Sequence, residues 1–262
     1  MTPAPADLAR AGLRLDLGQP APGAATVTLS RPRRRNAMTP GMWRCLAAIG
    51  HALPASVRVV VIRGEGPTFS AGIDLRLLGG EGVEGEEPLP SPADPGFEDW
   101  IAACQEGFGW LHDPSIVSVA AVHGHAIGAG FQLALACDLR VLADDARLSM
   151  REPTLGLVPD LMGTKPLVDI VGLPRALELC LTGRSVGAAE ARALRLAEMV
   201  VPAGELDASV GDLAAAILAL DPATARATKE LLAQAPGHTL EQQAAAERQA
   251  QASLQRGRST QP

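Results

Sequence analysis

Two stretches of this chain end an apolar run in glycines, and two acids stand further along among apolar and turn-forming residues. The first stretch, Phe69-Ser70-Ala71-Gly72-Ile73-Asp74-Leu75, follows the run Val57–Ile62; the second, Gly124 to Gly130, follows Val117–Val122. Glycines at a strand end let the backbone turn sharply. They leave main-chain N–H groups pointing outward, where negative charge can be held, whether standing or developing in a transition state. The expected donors are the N–H groups of Ile73 and Ala129. The acids are Glu152 and Asp160, within Arg151-Glu152-Pro153-Thr154-Leu155 and Val158-Pro159-Asp160-Leu161-Met162-Gly163. Apolar surroundings favour the neutral carboxyl and raise its pKa toward the range useful for proton transfer.

Other chemistries fit less well. Gly128-x-Gly130 meets Leu133 where a dinucleotide-binding turn wants a third Gly or Ala, although Asp144 and Asp145 stand where a ribose-binding acid would sit. No Gly-Lys-Ser/Thr is present for a phosphate-cradling loop. Gly-x-Ser-x-Gly is absent, so neither Ser70 nor Ser149 reads as an activated nucleophile. His123-x-His125 offers two imidazoles with no third ligand at a familiar spacing, so no metal is expected. Two amide donors, one or two carboxyls and no nucleophile describe enolate chemistry. A carbonyl, most usefully a thioester, is polarised and a proton α or γ to it is moved. The run Arg31-Pro32-Arg33-Arg34-Arg35-Asn36-Ala37 is either a solvated turn or a patch for ligand phosphates.

The elements that must position these groups follow from patterning. At 262 residues, 47% of them hydrophobic, the chain can bury one large core. A net charge of −6 and an aromatic content of 3% speak against a nucleic-acid surface or a base-stacking platform. No run reaches the ~18 apolar residues of a membrane span. The start, MTPAPADLAR, lacks the charge and apolar stretch of a secretory leader. Four scattered cysteines without a Cys-x-x-Cys suit a reducing cytoplasm. Residues 1–12 are expected to be loose, and Leu13–Leu17 with Ala25–Ser30 to form a hairpin. Thr39 and Pro40 are expected to open a helix to about Leu53. Strands are expected at Val57–Ile62, Val117–Val122, Leu139–Ala143 and Arg147–Met150, and helices at Phe97–His112 and Phe131–Ala136. Residues 79–96, rich in acids, glycines and prolines, read as a mobile insertion. From Pro166 on, only helices are expected, with a boundary near Pro202 between an α/β core (13–202) and a helical C-terminal region (203–257).

Taken together, Arg31-Pro32…Asn36-Ala37, Phe69-Ser70-Ala71-Gly72-Ile73-Asp74-Leu75, Val122-His123-Gly124-His125-Ala126-Ile127-Gly128-Ala129-Gly130-Phe131-Gln132-Leu133, Cys137-Asp138-Leu139-Arg140, Leu155-Gly156-Leu157-Val158-Pro159 and Leu181-Thr182-Gly183-Arg184 resemble the crotonase (enoyl-CoA hydratase/isomerase) family over nearly the whole chain. The resemblance implies a ββα-spiral core with a helical trimerisation region, as a homotrimer or a hexamer of two trimers. It also implies an acyl-CoA thioester as substrate, with no separate cofactor. The thioester oxygen would sit on the N–H groups of Ile73 and Ala129. CoA would lie along Arg35, Asn36, Ala37, Ser70, Ala71, Gly72, Asp74 and Leu75. Family hydratases hold the attacking water with two glutamates; the second falls on Glu152, but the first falls on Gln132, which cannot act as a base. Family isomerases work with one carboxylate at the place of Glu152, and dienoyl isomerases add an Asp eight residues on, where Asp160 stands. The expected function is therefore double-bond isomerisation, with Glu152 as proton shuttle, Asp160 as helper and Gln132 positioning water or substrate. The alternatives are a hydratase using Glu152 alone and a catalytically weak acyl-CoA-binding protein.

Overall fold

The computed structural model describes residues 3–259. The chain runs α1 (Pro5–Arg10), β1 (Leu13–Leu17), β2 (Ala24–Leu29), α2 (Pro40–Ala52), β3 (Val59–Gly64), α3 (Leu75–Leu78), α4 (Phe97–Gly109), β4 (Val117–Val122), β5 (His125–Ile127) and α5 (Ala129–Ala136). It continues with β6 (Leu139–Ala143), β7 (Arg147–Ser149), α6 (Thr164–Val171), α7 (Leu173–Thr182), β8 (Val186–Gly187), α8 (Ala188–Ala193), β9 (Met199–Val201), α9 (Leu206–Leu218), α10 (Pro222–Gln234) and α11 (Leu240–Ser259).

Two sheets are built in parallel by a spiralling chain. The larger has the order β1-β2-β3-β4-β6-β9, antiparallel only at β1/β2; the smaller has the order β5-β7-β8. After β3 the chain reaches Ser70, which bridges Ala126 of β5, and Ala126 pairs with Leu148 of β7. Each turn thus gives one strand to the large sheet and one short segment to the small one. Ser70 N–H donates to the His125 carbonyl at 2.8 Å, Ile127 N–H to the Ser70 carbonyl at 3.0 Å and Gly128 N–H to the Ser149 carbonyl at 2.8 Å. Segments leaving Ser70, Ile127 and Ser149 therefore exit one above another.

The continuous apolar run of β3 is explained by burial on both faces. Val60 and Ile62 face the core formed with α2 and α4, while Val59 and Val61 face a second cluster closed by Leu206, Val210 and Ala214 of α9. The side-chain hydroxyl of Thr39 accepts from Met42 N–H at 3.2 Å and caps α2.

Several expectations need correction. Residues 5–10 are helical and bury Leu8, so the Ala/Pro-rich start is tied down from Pro5 onward by one apolar anchor. Two short strands, β8 and β9, lie in the part expected to be helical throughout; at two and three residues they carry no readable alternation. Residue 202 does not separate core from appendage, because α9 covers the large sheet. Helices α10 and α11 have no fully buried residue among those described. Helix α10 is tied back by Lys229, whose ammonium donates to the carbonyls of Asp113 (2.9 Å) and Ile116 (2.8 Å) and to Asp138 (2.7 Å). Asp138 also accepts from Ser118 N–H and Oγ–H, so removing the lysine leaves it without its counter-charge. Lys229→Met is expected to cost about 1.5–3 kcal/mol, the range for hydrogen bonds to charged groups, and urea denaturation would measure it.

Candidate active site

The exits of the three stacked turns converge. Gly72 adopts φ +87°, and a Cβ on it would lie 2.6 Å from the Ile127 carbonyl and 3.6 Å from the Ala129 nitrogen. Only glycine fits both the conformation and the approach. Gly128 (φ 53°, ψ −120°) precedes Ala129, the first residue of α5, so the Ala129 N–H is one of the helix's unsatisfied donors. On the other segment, Met38 N–H donates to the Gly72 carbonyl and Asp74 N–H to the Met38 carbonyl, which bypasses the Ile73 N–H. Among the described residues neither N–H has an acceptor.

Glu152 follows β7 in a short 3₁₀ turn (Glu152–Leu155) and comes up beside Gly128, where a Cβ would stand 3.1 Å from its Oε1. Glu152 is 8% exposed. Its Oε1 accepts from the Gln132 side-chain amide at 2.6 Å, while Oε2 is buried without a hydrogen-bond partner. Burial pushes its pKa up; nearby backbone N–H groups and the Gln132 amide oppose the shift, and the charge of Asp160 adds to it. Burial also raises Asp160, against a hydrogen bond from its own backbone. The Gln105 amide on α4 donates to the Asp160 carbonyl at 2.7 Å and fixes this part of the loop.

Ile73, Ala129, Glu152 and Asp160 line one cavity of about 620 Å³, together with Ala71, Gly72 and Leu75. The rest of its wall is largely apolar: Trp43 from α2, Leu77 and Leu78, and Phe97, Trp100, Ile101 and Cys104 from α4. Leu89, Pro90 and Pro92 of the 79–96 stretch also contribute, and Glu86 in the same stretch accepts from Gly41 N–H at 2.9 Å at the start of α2. The stretch expected to be a mobile insertion is thus a wall of the cavity. Its few apolar residues, scattered between acids and prolines, gave no periodic sign of this.

Other expected site residues do not reach the cavity. Gln132 is fully buried behind Glu152; its carbonyl accepts from Leu161 N–H (2.9 Å) and Gly163 N–H (3.2 Å). Its polar atoms are engaged by the protein, so it does not position water or substrate as expected. Asn36, also fully buried, accepts from Arg31 N–H and donates to the carbonyls of Glu65 and Thr68; it locks the arginine turn to the first glycine loop. Ser70 donates to the Asn36 carbonyl, and Ala37 is buried. Arg35 is exposed and offers its carbonyl to Ala71 N–H. These residues shape the loop rather than line the cavity.

Asp74 is buried between Arg31 (3.0 Å) and Arg76 (2.7 Å). Hydrogen bonds from Arg76, then Arg31, hold its carboxyl at about 2, below its ordinary 3.8. A depressed folded-state pKa contributes stability that is present above the unfolded value and lost as pH falls through the folded one. The stability advantage of the natural chain over Asp74→Asn is therefore expected to shrink between about pH 4 and about pH 2, as read by denaturation at a series of pH values. His123 is engaged with the Gly66 carbonyl (2.8 Å), and Thr68 Oγ1 lies 3.4 Å from His125 Nδ1.

Fold and cavity together define a spiral α/β protein in which Ile73, Ala129, Glu152 and Asp160 line one largely apolar cavity. The sequence profile of the enoyl-CoA hydratase/isomerase family matches residues 21–261, and the chain belongs to that family. It is 37% identical over 219 residues to a candidate enoyl-CoA hydratase of Thermus thermophilus, covering 83% of each chain. It is 33% identical over 219 residues to the human mitochondrial Delta(3,5)-Delta(2,4)-dienoyl-CoA isomerase, covering 82% of this chain and 66% of that one. The crystal structure of a candidate enoyl-CoA hydratase of Thermobifida fusca in complex with CoA superposes with a TM-score of 0.94 at 56% identity, covering 99% and 98% of the two chains. A crystal structure of a candidate enoyl-CoA hydratase of Thermobifida fusca in complex with acetoacetyl-CoA superposes with a TM-score of 0.94 at 56% identity, covering 98% and 100% of the two chains.

Proposed function

We propose that this chain moves a carbon–carbon double bond within an enoyl-CoA thioester. The thioester oxygen accepts from the N–H groups of Ile73 and Ala129. Glu152, the carboxyl beside Gly128, takes the proton from the α carbon. The C–H electron pair passes into the enolate, whose oxygen the two amides stabilise. A proton then returns further along the chain. Glu152 gives it back at C4 of a 3-enoyl thioester; in a 3,5-dienoyl thioester protonated Asp160 supplies C6, and exchange with solvent restores both acids. All the working groups belong to the protein, so the proposal includes no cofactor.

What supports this reading is one observation: two unpartnered main-chain donors and two carboxyls of raised pKa open onto a single apolar cavity. Isomerisation is favoured over hydration because Gln132, at the place of a hydratase glutamate, has its amide engaged inside the protein. The acyl group lies between α4 and the 79–96 stretch, and the CoA phosphates lie toward the exposed Arg33, Arg34 and Arg35.

A homotrimer, or two trimers as a hexamer, goes with the proposal. Leu173, Leu177 and Leu181 form an exposed i, i+4, i+8 stripe on α7, and α10 and α11 offer Leu232 and Leu240. The test of function is incubation with 3-enoyl, 3,5-dienoyl and 2-enoyl thioesters followed by product NMR. Shifted double bonds support the proposal; hydrated product alone, or tight binding without turnover of any of the three, overturns it. Because Glu152 must be ionised to accept the proton, kcat/KM is expected to fall with decreasing pH at a point above its ordinary 4.5.

A further inference from the structure

Gln132 makes three hydrogen bonds, one to the Glu152 carboxyl and two to the backbone just after Asp160. Its amide donates to Glu152 Oε1 at 2.6 Å, and its carbonyl accepts from Leu161 and Gly163, which flank Met162 directly after Asp160. The residue is fully buried in α5, and α5 also supplies the Ala129 N–H. Gly163 lies tight against it, since a Cβ there would meet Gln132 Cγ at 2.6 Å. The side chain therefore has little room for another rotamer, and both ends of its amide are occupied.

We infer that Gln132 is a positioning residue that couples the two carboxyls: one amide fixes Glu152 through Oε1, leaves Oε2 as the oxygen that exchanges the proton, and holds the Asp160 loop at a set distance. A carboxylate at this position could keep the loop contacts. It could not donate to Glu152 without itself carrying a proton, and it would place two acids in one hydrogen bond. The amide thus keeps Glu152 independent of a second acid at its back. The inference rests on the reading of Glu152 as the proton carrier.

Glutamine and glutamate differ here at one end only, and that separates the two halves of the role. Gln132→Glu retains an acceptor for Leu161 and Gly163 but replaces the donor to Glu152. Gln132→Met removes both. The other groups near Glu152 are Asp160, Cys180 and Arg151, whose guanidinium donates to the Gly183 carbonyl at 3.1 Å; none of them is altered in either variant.

The experiment is a carbon-13 NMR titration of the full-length protein labelled at glutamate side-chain carboxyls, with the Glu152 signal assigned through Glu152→Gln. Both variants are expected to raise the midpoint of Glu152 by at least about one pH unit, tenfold in the proton-binding constant. Only Gln132→Met is expected to shift the amide signals of Leu161 and Gly163. A Glu152 midpoint unmoved in folded Gln132→Glu overturns the inference, as does a Gln132→Met variant whose 161 and 163 amides stay in place. The titration needs no substrate, so its failure is distinct from failure of the proposed reaction, which would show as unchanged turnover in Glu152→Gln.

Discussion

Glu152→Gln is expected to lower turnover of an enoyl-CoA substrate by about 10²–10⁴-fold, the usual worth of general acid–base catalysis, while acyl-CoA affinity changes by no more than about threefold. The substitution is nearly isosteric. Oε1 can still accept from Gln132, and the apolar wall that carries the acyl group is untouched. What disappears is the group that alternates between charged and neutral forms. Burial already raises the pKa of this carboxyl above its ordinary 4.5, which favours its taking up a proton. Kinetics on the isomerised substrate, with affinity measured separately by calorimetry, separate the two quantities. A fall in affinity with turnover preserved would instead make Glu152 a binding group.

Gly72→Ala is the second large effect, with an expected loss of about 10²–10³-fold in turnover, as for removal of one donor to a developing oxyanion. An added Cβ would lie 2.6 Å from the Ile127 carbonyl. The segments carrying Ile73 and Ala129 would have to separate, and the backbone at φ +87° would be strained as well. Strain alone is controlled by Gly80→Ala, at φ +76° with nothing within 4 Å of the new Cβ. That variant is expected to share the backbone cost and keep its turnover. Equal losses in both would mean that strain, rather than the spacing of the two donors, governs the rate.

The parts of this architecture that could be read from the sequence are those with local causes. Runs such as Val57–Ile62 and Val117–Val122, the Thr39-Pro40 helix start and the glycines of both loops each carry their structural instruction in neighbouring residues. The convergence of Ile73, Ala129 and Glu152 depends instead on pairing between segments far apart in sequence. Ser70 with Ala126 and Ala126 with Leu148 are links of one to three residues, too short to leave a periodic trace. Polar residues were harder still. Asn36, Ser70 and Asp74 are the right types to touch a ligand, yet their partners are Glu65, Thr68, the Asn36 carbonyl, Arg31 and Arg76. Residue type states what a side chain can bond, and only the fold states which partner reaches it first. Gln132 marked a departure from the hydratase pattern in sequence, but its hold on Glu152 and on residues 161 and 163 is visible only in three dimensions.

The most direct measurement is proton exchange at the α carbon. A 3-enoyl-CoA thioester incubated with the protein in D₂O is expected to acquire deuterium at C2, seen by NMR in recovered substrate or product, and to acquire none above background with Glu152→Gln. Binding of that thioester with C2 left fully protonated, or exchange equally fast in the variant, would contradict an enolate formed between these two amides and this carboxyl.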